Sequence, residues 1–155
     1  MRLCEYTKIV PIIDPQDHQS AGITGESVCL KDYGHCTFIF LFGELTGNSV
    51  LKVREGAIDG ATTADLIFTY RATAADIANA ASDTLGTEAT SAALTLTAGT
   101  YQDRMIVVEV DNQELTAGYD WLTVNIDSTA SELLVSCVAV LSQPRFAEDV
   151  PPTAV

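Results

Sequence analysis

The sequence predicts an all-β fold: an antiparallel β-sandwich or small barrel, jelly-roll-like, of about eight strands, with extended arms at both ends. Three observations predict it. Apolar residues alternate with period two through many short segments, which sends successive side chains to opposite faces of a sheet. Turn-forming residues interrupt these segments at roughly 8–12-residue spacing. Leu133 to Leu141 carries no charge and is rich in aliphatic and β-branched side chains, the composition of a strand in the middle of a β core, apolar on both faces.

The same signals divide the chain into an N-terminal arm (1–25), a core (26–143) and a C-terminal tail (144–155). In the arm, Tyr6 to Ile13 is strand-like and Asp14 to Gly22 is a cluster of turn formers. Ser27 to Leu30 is a short strand, and Lys31 to Gly34 is its turn. In the next strand Phe38, Phe40 and Phe42 share one face, with Ile39 and Leu41 opposite, so both faces are expected to be covered. Thr46 to Ser49 is a hairpin turn. It leads into Val50 to Glu55, with Leu51 and Val53 inward and Lys52 and Arg54 outward.

Ala64 to Arg71 is expected as one strand with Leu66, Phe68 and Tyr70 on a common face. Thr73 to Asp76 has the form of a helix cap before an alanine-rich stretch, which predicts a helical turn or two, or a long surface loop. Ala93 to Thr97 turns its leucines inward, and Arg104 to Val110 puts Ile106, Val108 and Val110 on one face. Trp121 to Asp127 buries Leu122, Val124 and Ile126 and exposes Thr123, Asn125 and Asp127. In the tail, Pro144, Pro151 and Pro152 exclude a helix and argue against a central strand.

Composition narrows the function. An apolar fraction of 47% in 155 residues supports one folded domain with a sizeable core. Charge sums to 8 − 21 = −13. That balance repels phosphate backbones and anionic headgroups, so neither nucleic acid nor membrane is an expected partner. Met1 to Glu5 lacks the apolar stretch of a secretory leader, and no apolar run is long enough for a membrane-spanning helix. Four cysteines without a CxxC pair are expected as free thiols in a reducing cytoplasm.

No catalytic constellation emerges, and the chain is expected to be neither an enzyme nor a holder of metal or cofactor. His35 with Cys29 and Cys36 is the best set for zinc, but it lacks a fourth ligand and the usual spacing. Neighbours on a strand face opposite ways, so Cys36 does not pair easily with His35 as a thiol–imidazole couple. Asp14, Asp17 and His18 match no ligand pattern, and Asp111, Asn112 and Glu114 lack the spacing of a calcium loop. Interaction signals are stronger: Tyr119 and Trp121 flank Asp120, and Arg145 and Phe146 lie in a proline-rich tail, all anchor types at interfaces.

The ordered set Val53-Arg54-Glu55-Gly56-Ala57, Phe68-Thr69-Tyr70-Arg71, Leu94-Thr95-Leu96-Thr97-Ala98-Gly99, Met105 to Asp111, Gly118-Tyr119-Asp120-Trp121, Gln143-Pro144-Arg145-Phe146 and Val150 to Val155 resembles a family of small tailed-bacteriophage proteins, the capsid decoration (cement) proteins. The resemblance runs from about Gly34 to the end, on structural motifs. It implies an all-β subunit made in the host cytoplasm. Such a subunit forms a homo-oligomer, a trimer ahead of a dimer, and binds the major capsid protein on the exterior of the virion head. Contacts are then expected at Tyr6, Ile9, Ile12, Tyr119, Trp121, Pro144, Arg145, Phe146, Val150, Pro151 and Pro152. A tail-tube or baseplate subunit is the alternative, and a small-ligand or metal-binding enzyme domain a more distant one.

Overall fold

The computed structural model describes residues 3, 6–18, 21–128 and 132–145. Among these residues eleven strands form two antiparallel sheets: β1 (Lys8–Asp17), β2 (Ile23–Cys29), β3 (Tyr33–Thr46), β4 (Asn48–Gly56), β5 (Ala64–Leu66), β6 (Phe68–Ala72), β7 (Ala89–Ser91), β8 (Leu94–Thr97), β9 (Met105–Asp111), β10 (Trp121–Ser128) and β11 (Glu132–Pro144). The six-stranded sheet runs β1-β11-β3-β9-β6-β7. The five-stranded sheet runs β2-β10-β4-β5, with β8 also paired to β4. Set β5, β6 and β7 aside, and the remaining eight strands pair first with eighth (β1–β11), second with seventh (β2–β10), third with sixth (β3–β9) and fourth with fifth (β4–β8). That is a long antiparallel ribbon rolled over itself, the jelly-roll topology.

The core lies between the inner faces of the sheets. Phe38, Phe40 and Phe42 alternate inward along β3 and are nearly or wholly buried. Their ring centroids lie 6.4 Å and 6.0 Å apart. Leu51 and Val53 of β4, Leu122, Val124 and Ile126 of β10, Ile106, Val108 and Val110 of β9 and Leu94 and Leu96 of β8 complete it as the alternation predicts. Thr46 and Asn48 flank Gly47 (φ +82°), whose left-handed backbone closes the β3–β4 hairpin at low steric cost.

Several expectations are corrected. The segment expected as an arm belongs to the sandwich: β1 pairs along β11 of its own chain, and Ile12 and Ile13 are buried in the core. Its prolines are tolerated because β1 is an edge strand with two breaks in register, where a missing N–H disturbs no inner ladder. β2 likewise begins at Ile23, ahead of the expected core boundary.

The stretch Ala64 to Arg71 is two strands. β5 pairs with β4 in one sheet, β6 pairs with β9 in the other, and the chain crosses between them at Ile67, which is exposed. Period two survives the crossing because Leu66 and Phe68 enter the same core from opposite sides. After Thr73 the chain takes the second of the two forms expected there, a long surface loop, and no helix starts at Thr73 itself. Its amide instead donates to Met105 O (2.9 Å), and the excursion contains only a 3-10 turn, Ala80–Asp83, capped by the Asn79 side chain. One short alanine-rich run does not offset the cost of helix nucleation without packing. Thr123 faces outward as expected but is not exposed: its hydroxyl donates to Ala61 O (3.2 Å) and it is fully buried.

Candidate assembly interface

The two outer faces of the sandwich differ in chemistry. On the five-stranded sheet the outward side chains are polar and pair with one another. Ser27 and Thr123 hydroxyls are 2.7 Å apart, Asn125 donates to Thr24 Oγ1 (3.1 Å), and Asp65 is ion-paired with both Arg54 (2.8 Å) and Lys52 (3.5 Å). The outer face of the six-stranded sheet is apolar in its middle. Cross-strand register sets Pro11, Val138, Ile39 and Val107 in one row. The next rows place Ser136, Leu41 and Met105, and Ile9, Val140 and Thr37, side by side. Leu41 is 46% exposed, Ile9 42%, Leu134 41% and Val138 38%. At one end Leu134 lies directly over Gly43, where a Cβ would come within 2.7 Å of its Cδ2. There an open groove of about 300 Å³ runs between Pro15, Leu41 and Leu134.

This face overturns one expectation and sharpens another. β11 is a central strand, as its composition predicts, but only one of its faces is covered. Leu133, Val135, Cys137, Ala139 and Leu141 are in the core, while Leu134 and Val138 meet solvent. The same holds for β3, where Phe38, Phe40 and Phe42 are covered and Leu41 is not.

The contact residues expected from sequence fall in several places. Ile9 belongs to the apolar face, and Tyr6 is 54% exposed just ahead of β1. Ile12 is 4% exposed and fills the core, which removes it as a contact residue: the register break beside Pro11 turns it inward. Trp121 is half-buried on the outer side of the five-stranded sheet, in register with Cys29 and Gly56, and Tyr119 is half-buried in the loop before it. Pro144 ends β11 opposite Tyr33, so the tail starts from within the sheet. Arg145 donates its amide to Asp32 O (2.9 Å) and its guanidinium to Asn112 Oδ1. Phe146, Val150, Pro151 and Pro152 lie outside the described residues.

Among the described residues, groups with chemical potential do not converge. Cys36 points into the core and His35 outward from the same strand, where its Nδ1 lies 2.7 Å from Asp111 Oδ1. Cys29 sits in the other sheet. Burial pushes the Cys36 and Cys137 thiols far above their ordinary range, so neither is a ready nucleophile. Asp111 and Glu114 form a capping box around the turn Asn112–Glu114, a structural use of both carboxylates. His18 pairs with Asp14 (Nε2–Oδ1 3.7 Å). Among the described residues no three His, Cys, Asp or Glu side chains are placed to hold one metal ion.

Sequence reading missed Glu55. It is 3% exposed, and its carboxylate accepts from Thr116 N (2.8 Å) and Thr116 Oγ1 (2.5 Å), fastening the Asp111–Trp121 connection to β4. The signal is a carboxylate in register with inward Val53, which a strict period of two places inside.

No protein-family model, curated protein or solved structure matches the chain.

Proposed function

We propose that this chain is a structural subunit of a bacteriophage particle, a decoration protein that binds the outside of the head shell and braces it. The observation that carries the reading is the bare apolar face of the six-stranded sheet. Contiguous exposed aliphatic side chains on an otherwise well-packed sandwich are the mark of a surface that works covered by another protein. The family resemblance of the motifs supports the same role, and so does a charge of −13, which disfavours DNA. In that role the chain contributes rigidity and buried area, as a trimer or dimer against the major capsid protein, and transforms no molecule.

Quantitative mass spectrometry of purified particles, with antibody labelling of intact virions, tests the proposal. A head protein of this kind is expected at on the order of hundreds of copies, with label on the head, because shells repeat one contact many times by symmetry. Label on the tail, or a few copies per particle, overturns it.

A further inference from the structure

We propose that the outer face of the six-stranded sheet docks a protein surface with an apolar centre and a lysine- or arginine-rich rim, and that its occupant is not a second copy of this chain. The inference rests on the decoration reading and specifies the chemistry of the shell surface that would be met.

Three features select this occupant. First, the face is available where the edges of its own sheet are not, although β2, of seven residues, is an open edge of the other sheet. β1 carries Pro11 and Pro15 and two register breaks, β7 has three residues, and β5 and β8 have three and four. Edges so blunted resist strand addition, which on this sheet leaves docking to the face. Second, the apolar centre is bounded by acids. At the β3–β11 end, Asp17 is in register with Leu134, Glu132 with Thr46, and Glu44 projects outward next to inward Leu45. At the other end, Glu109 and Asp111 flank His35 and are about half exposed. Third, the chain has few cations to answer such a rim, and half of them are already engaged. Of eight Lys and Arg, Lys52, Arg54, Arg71 and Arg104 are held in ion pairs within the chain. Two copies packed through this face would oppose acidic rims at separations below the ~8 Å screening length of physiological salt. A cationic rim on a different protein turns the same charges into steering and register.

The test uses the full chain and two probes. One is phage heads stripped of the protein. The other is an 18-residue helical peptide of leucine and lysine, with leucines along one face, mapped on the chain by amide shifts. The double variant Leu41→Asn/Val138→Asn removes apolar contact on already exposed positions, and Glu44→Gln/Glu132→Gln removes rim charge. Urea unfolding and sedimentation confirm that both remain folded. Wild type is expected to bind heads more weakly as salt rises. The first variant should lose tenfold or more in affinity, and the second should lose affinity and flatten the salt dependence. The peptide footprint should fall on outward residues of β3, β9 and β11. Wild-type binding by a folded Leu41→Asn/Val138→Asn variant overturns the docking face while leaving the decoration reading intact. A wild-type dimer that this variant dissociates overturns the choice of occupant. If wild type ignores the heads, the decoration reading falls, and the footprint alone decides: on this face the inference stands, elsewhere it fails.

Discussion

Phe40 and Leu41 are neighbours on one strand with opposite fates, so the pair tests the whole assignment of faces. Phe40 is 0% exposed between Phe38 and Phe42, in the innermost layer of the sandwich. Phe40→Ala removes a ring that the surroundings cannot collapse to fill, at a cost of about 3–5 kcal/mol. Leu41 is 46% exposed. Leu41→Ala removes three carbons worth about 0.8 kcal/mol each at full burial, so about half burial leaves roughly 1 kcal/mol. Urea unfolding followed by tryptophan fluorescence reads the difference. With a slope of about 2 kcal/mol per molar, Phe40→Ala should lower the midpoint by about 2 M and Leu41→Ala by about 0.5 M. If Phe40→Ala is too unstable to fold, Phe40→Leu should preserve the order with a smaller gap. Equal losses, or a larger loss at Leu41, would mean that β3 is set one residue out of register, since such a slip exchanges its faces.

Three further outcomes are expected. Glu55→Ala should destabilise the protein by about 2 kcal/mol and speed hydrogen exchange at the Thr116 amide, because two hydrogen bonds to a buried carboxylate are lost; unchanged protection at Thr116 would refute that anchoring role. Stability should fall as pH rises above about 8.5. Burial holds the Cys36 and Cys137 protons above the normal thiol range, and burial, then the Tyr70 hydroxyl, push Tyr101 up to about 12. The unfolded chain gives up these protons first, so it binds fewer than the folded chain and is favoured by alkali. A urea midpoint that stays flat from pH 8 to 11 contradicts this. In a Cys4→Ser/Cys29→Ser background, Cys36 and Cys137 should react with a thiol reagent only after denaturant is added; native labelling at the rate of a free peptide would place them outside the core.

Most of the sandwich was legible because its strands keep period two against one core. The phenylalanines of β3, the aliphatic ladder of β9 and the inward set of β10 follow from alternation alone. Alternation fails where the chain changes sheets. Nothing in Leu66-Ile67-Phe68 marks the crossing, since both flanking residues stay buried. It fails also at edges, where Pro11 and Pro15 signal turns in isolation but sit in β1 because no neighbour needs their N–H. The apolar face was half legible. The uncharged run Leu133 to Leu141 announces side chains that avoid water on both sides of a strand, and composition cannot say whether the covering surface is the chain's own. Glu55 escaped because a carboxylate on a strand is read as wet, and its partner Thr116 lies 61 residues away.

The roll has a consequence for how the molecule is made. β11 lies between β1 and β3 in the sheet, yet it is the last of the described strands in chain order. At 5–20 residues per second, β1 waits roughly 6 to 25 seconds for the neighbour that holds it, and β3 keeps one aromatic-rich edge open meanwhile. Nascent chains cut short before residue 132 should therefore be sticky and depend on chaperones, and productive folding should begin only once β11 has been made.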